Sequence, residues 1–91
     1  MSRIDILHPH GHSDAEARRI VDEVLAQLRQ RHGVEGDWRD GVVELSGPGM
    51  QGQISLAPGQ VRVSAELGFL LSMLHGPVEE EIRRVLGERL G

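Results

Sequence analysis

The chain contains no cysteine and no lysine, and Trp38 and Phe69 are its whole aromatic complement. Each gap excludes a class of function. Without cysteine there is no disulfide framework, no thiol nucleophile and no thiolate metal site. Without lysine no phosphate loop can be completed, and Gly47, Gly49, Gly52, Gly59 and Gly68 read as turn residues. Two aromatics make a poor stacking platform for nucleic acid. A net charge of −4, with every positive charge an Arg, disfavours a general attraction to phosphate or to an anionic surface. Long apolar runs are missing as well. No stretch approaches the ~18 residues of a membrane span, and Met1-Ser2-Arg3-Ile4-Asp5 lacks the apolar segment of a secretion signal. The expectation is a soluble, cytoplasmic chain with no nucleic-acid partner and no membrane span.

What is present suffices for one folded unit. Ninety-one residues make one domain, 1–91. Leu, Ile, Val and Phe supply 26 of the 91 residues, above the floor of about 20% below which chains stay disordered.

Periodicity then places the elements. Arg3 to Leu7 alternates, with Ile4 and Ile6 on one face, and predicts a short strand that His8-Pro9-His10-Gly11 ends. Ser13 and Glu16 have capping-box spacing, and Ala17, Ile20, Val21, Val24, Leu25 and Leu28 follow as one helical stripe up to Gly33. Asp40-Gly41 is a type I′ hairpin signal. It pairs Arg39 with Val42, Trp38 with Val43 and Gly36 with Leu45. The Ser46–Gly49 cluster reads as a second turn that brings Met50 opposite Leu45. Ala57-Pro58-Gly59-Gln60 reads as a third, setting Gly52 beside Ala65, a shallow spot where a helix can approach the sheet. Gly76-Pro77 opens a final helix with Pro at its first position, with Glu79, Glu80 and Glu81 in the first turn and Val78, Ile82, Val85, Leu86 and Leu90 as its stripe. The predicted fold is α+β, a two-layer β-α-β-β-β-β-α arrangement with two helices on one face of a mostly antiparallel sheet. Its core is expected to hold Trp38, Val43, Leu45, Ile54, Val63 and Leu67 beneath Ile20, Val24, Leu28, Ile82 and Leu86.

Material for catalysis is thin. Ser13, Ser46, Ser55, Ser64 and Ser72 lack the glycine-flanked elbow that exposes a serine nucleophile. Glu79 and Glu80 suit a helix dipole better than acid–base work, and the Arg18-Arg19 and Arg83-Arg84 pairs read as solvated helix faces. His8, His10 and His12 alternate, so an extended backbone would align three imidazoles as metal ligands. Pro9 and Gly11 oppose that extension, and a polar strand-to-helix connection is the plainer reading. The reading is therefore non-enzymatic and without cofactor. The alternative is a small metal- or ligand-dependent enzyme built on the His8/His10/His12 cluster.

The unusual stretch is Leu67-Gly68-Phe69-Leu70-Leu71-Ser72-Met73-Leu74, apolar where a connecting loop is ordinarily polar. Part of it can fold under the sheet edge, but one short turn cannot hide so many large side chains. Phe69, Leu70, Leu71, Met73 and Leu74 form the candidate interaction surface. On this reading Leu71 and Met73 can both become Ser at little cost in stability.

The chain resembles the polyhydroxyalkanoic acid system family, small bacterial proteins associated with genes for polyhydroxyalkanoate granules. The likeness rests on Ile4-Asp5-Ile6 with His8 and His10, on Ala17-Arg18, on Gly52-Gln53-Ile54 and Val61-Arg62-Val63, on Leu67 to Leu71, and on a Glu/Arg-rich helix around Val78-Glu79 and Ile82. It spans roughly residues 3–90. The resemblance implies an accessory role whose partner is a granule surface or a granule protein, and it brings no catalytic residues to carry over. A homodimer formed through the sheet edge or the apolar segment is the remaining possibility.

Overall fold

The computed structural model describes residues 2–91; Met1, read above as part of the N-terminal stretch, lies outside them. Five strands and three helices follow in the order β1 (Ser2–Pro9), α1 (Asp14–His32), β2 (Glu35–Arg39), β3 (Val42–Gly47), β4 (Met50–Ala57), β5 (Gln60–Leu67), α2 (Phe69–Ser72) and α3 (His75–Leu90). The strands form one sheet in the order β1-β5-β4-β3-β2, and every neighbouring pair is antiparallel. The α+β architecture is as expected. The one-turn helix α2 is an addition to it.

Turn chemistry sets the register. Asp40 (φ 51°) and Gly41 (φ 79°) both take the left-handed conformation that a type I′ hairpin requires, and Arg39↔Val42, Trp38↔Val43 and Gly36↔Leu45 pair as predicted. Gly52 faces Ala65, also as predicted. Met50 does not face Leu45. Pro48-Gly49 is a two-residue turn with Gly49 at φ 75°, so Met50 pairs with Gly47 and Leu45 with Gly52.

Along the inner face Ile4, Ile6, Val43, Leu45, Ile54, Val61, Val63, Ala65 and Leu67 are all buried, and the alternate residues look outward. Helix α1 starts at Ser13, whose Oγ accepts the Glu16 N–H at 3.2 Å. The Glu16 carboxylate pairs with Arg19. Gly33 (φ 67°) ends the helix, and the Val34 N–H reaches back to the Leu28 carbonyl while Val34 itself is buried. At about 1.5 Å per residue these 19 residues reach about 28 Å. That is enough to carry the chain from the β1 edge across the sheet to the β2 edge, since four inter-strand steps of about 4.8 Å make roughly 19 Å.

Three further expectations need correction. β1 runs two residues past Leu7, pairing His8 with Val61 and Pro9 with Gln60. α3 begins at His75, so Pro77 sits at its third position and Glu79, Glu80 and Glu81 lie beyond the first turn. The N–H groups of the first turn have no intrahelical partner, so Pro is tolerated there too. Trp38 is half-buried rather than core. Its indole N–H donates to Asp22 Oδ1 at 2.7 Å, and the Arg18 guanidinium lies 4.3 Å above the ring. A polar N–H and a cation over its face hold the indole at the sheet margin beside α1.

Candidate functional site

The apolar turn after β5 is held from one side and open on the other. Leu67 is buried, and Gly68 then passes close over the β3–β4 turn, its N–H donating to the Gly49 carbonyl at 2.7 Å. The Ser72 hydroxyl donates to the Gly68 carbonyl at 2.9 Å and lies 3.3 Å from that of Leu67. The Leu74 N–H reaches the Leu71 carbonyl, and the Val78 N–H reaches that of Leu74, which leads directly into α3. These bonds fix the backbone while leaving most side chains uncommitted.

Leu71 is the anchor. It packs half-buried against the core, over Gly49, where a Cβ would lie 3.3 Å from its side chain. Phe69, Leu70 and Met73 are 76%, 76% and 78% exposed, and Leu74 is 51% exposed. The other large apolar side chain in the open among the described residues is Leu7, on the far face of β1. Among the described residues, four of five exposed large apolar side chains thus fall within six consecutive positions. Because Leu71 supports the turn from beneath, its replacement by Ser is expected to cost stability, contrary to the expectation from sequence.

Inside this turn lies an apolar groove of about 540 Å³ between α1, α3 and the sheet, with Leu71 and Leu74 on one wall and Pro48 and Met50 at the β3–β4 turn. His32 and Glu81 are its ionisable members, and Glu81 is engaged by Arg84 and Arg31. The open sheet face is polar. Arg62 binds Asp5 through two hydrogen bonds, 3.1 and 2.8 Å, and so holds the Asp5 carboxyl below the usual carboxylate range.

The three histidines do not converge. His8 shares the inner side of β1 with Ile4 and Ile6. His10 Nδ1 accepts the His12 N–H at 3.0 Å, and His12 Nε2 lies 2.9 Å from the Leu90 carbonyl at the end of α3. His12 thus ties the strand exit to the last helix. The Nε2 atoms of His8 and His10 are buried and have no hydrogen-bond partner among the described residues, where no group of His, Asp and Glu side chains is placed to hold a metal ion.

Fold and surface together define a small two-layer α+β protein that presents a pinned apolar turn beside an apolar groove. The chain belongs to the polyhydroxyalkanoic acid system family: the family model described as "Putative polyhydroxyalkanoic acid system protein" matches residues 4–90. No curated protein and no solved structure matches the chain significantly.

Proposed function

We propose that the chain is a non-enzymatic accessory protein of polyhydroxyalkanoate storage, cytoplasmic, and acting by binding a granule surface or a granule protein. The observation that carries this reading is the cluster Phe69, Leu70, Met73 and Leu74, exposed on a turn whose backbone is fixed. Leu71 adds the inner end of the same surface. Each large apolar side chain left in water forgoes about 1.5–3 kcal/mol of burial, which a polyester surface or an apolar protein face recovers. Family membership supplies the setting.

The Phe69→Ser, Leu70→Ser, Met73→Ser triple variant tests it. Its circular dichroism and melting temperature should match wild type, because these side chains contribute little to the core. Its co-sedimentation with granules should fall by about tenfold or more. Protein-free polymer particles and native granules used side by side separate a polyester contact from a protein contact. Unchanged sedimentation with both would overturn the reading.

The open sheet face is not proposed as a nucleic-acid surface. Arg3, Arg39 and Arg62 stand there with Asp5, Asp37, Glu44 and Glu66, and Arg62 and Arg39 are already paired with Asp5 and Glu44, the wrong balance for neutralising phosphate. Gel shifts at physiological salt should show no sub-micromolar binding, and a salt-sensitive shift would contradict this.

A further inference from the structure

β1 is an outer strand of the sheet, eight residues long. The opposite edge, β2, has five residues and exposes Glu35, Asp37 and Arg39. Brevity and charge are how proteins protect such edges; β1 is longer, and its outward charges, Arg3 and Asp5, are one of each sign. One hydrogen bond shows which way its backbone faces. The His10 N–H donates to the Gly59 carbonyl at 2.9 Å, in step with the pairs His8↔Val61, Ile6↔Val63 and Ile4↔Ala65. Alternate residues of an antiparallel strand bond to alternate neighbours. Even-numbered residues therefore bond to β5, and the N–H and C=O groups of Arg3, Asp5 and Leu7 point to the open edge. Pro9 falls in the outward set, where its missing hydrogen costs β5 nothing.

We propose that β1 pairs antiparallel with β1 of a second copy, in the register that sets Arg3 opposite Asp5 of the partner subunit. Outward groups must meet outward groups, so odd-numbered residues face odd-numbered ones. A two-fold axis at Asp5 opposes two carboxylates, and one at Arg3 opposes two guanidinium groups; both are unfavourable. An axis at Ile6 sets Arg3 against Pro9, and one at Leu7 sets Asp5 against Pro9; each loses a backbone bond. An axis at Ile4 does neither. It places an Arg3–Asp5 pair on each side of the axis, and the paired residues exchange both backbone hydrogen bonds. Both side chains stand on the open sheet face, Arg3 against Ser64 Oγ at 3.0 Å and Asp5 against Arg62. Arg62, Asp5 and Arg3 of the partner subunit then alternate in sign along the seam. The result is a closed, self-complementary dimer with one continuous sheet.

Light scattering on the untagged full chain at high micromolar concentration should give twice the 10.0 kDa chain mass. Arg3→Glu alone and Asp5→Arg alone should each weaken the dimer by about tenfold or more, because like charges then face one another. Mixing those two variants should restore a dimer, since every facing pair is again opposite in sign. Where Asp5→Arg disturbs folding by abandoning Arg62, the Asp5→Arg, Arg62→Glu chain keeps the internal pair with reversed polarity and serves in its place. A wild-type chain that stays monomeric, or a mixture that does, overturns the proposal. So does a dimer that both substitutions leave intact but Leu70→Ser, Met73→Ser dissolves, which would place the interface on the apolar turn.

Discussion

Leu86→Ala should lower stability by about 3 kcal/mol, which in a chain of this size is a fall of roughly 12–24 °C in melting temperature. Leu86 is 1% exposed on α3 and belongs to the cluster that joins Ile82, Val85 and Leu90 to the sheet. Its truncation opens a void that the neighbouring side chains, held by a five-stranded sheet, can fill only in part. Leu28→Ala should cost less, near the lower end of the ~2–5 kcal/mol range for such truncations, because Leu28 is already 9% exposed beside the groove. Denaturant melts of the two variants check both size and order. A loss under about 1 kcal/mol for Leu86→Ala would mean that α3 is not seated as described.

Gly52→Ala should be the most damaging of the glycine substitutions, with a cost of at least about 1–3 kcal/mol. A Cβ at this position would lie 2.3 Å from the Ser64 carbonyl oxygen and 2.8 Å from Ala65 Cα, both on the neighbouring strand. Backbone cannot swing aside as a side-chain end can. At Gly36 the nearest obstacle is a Leu25 methyl at 2.8 Å, which can rotate, so Gly36→Ala should cost less. Gly87 supplies the opposite sign. It lies within α3, exposed, with nothing within 4 Å of an added Cβ, so Gly87→Ala should stabilise by about 0.5–1 kcal/mol. Thermal melts that failed to rank Gly52→Ala below Gly36→Ala would contradict the closeness of β4 and β5 at this point.

The Gly52 geometry also shows what periodicity can and cannot disclose. Its pairing with Ala65 was legible, because Pro58-Gly59 leaves one register for the hairpin. The consequence of that pairing was not. Two small residues read as room for a helix, but nothing in the spacing said that the β5 backbone at Ser64 and Ala65 would also crowd Gly52. Asp40-Gly41 was similarly informative because only one common turn needs positive φ at both positions. Around Pro48 two turn lengths fitted the same Gly-Pro-Gly letters, and the longer one put Met50 in the wrong place. Trp38 sat at a core position by alternation, but alternation carries no information about an indole N–H that needs Asp22. In the candidate site, apolar density alone singled out Phe69 to Leu74. Which of those side chains faces inward depends on the Gly49 and Gly68 contacts, and these are long-range. The histidine spacing rightly carries little weight: alternation aligns side chains only while the strand continues, and β1 ends at Pro9.

The crossing of α1 from one edge of the sheet to the other has a consequence for how the chain assembles. β2 to β5 are consecutive hairpins, each able to form from neighbours in sequence. β1 has no such option. Its partner is β5, with Ile4 waiting for Ala65 and Ser2 for Leu67. During synthesis the first strand therefore emerges about sixty residues before the strand that accepts it, an interval of roughly 3–12 seconds at ordinary elongation rates. Throughout that interval Ile4 and Ile6 are without the strand that will pair with them. The four strands of the meander can therefore pair among themselves before β1 finds its place, and closing β1 onto β5 completes the sheet.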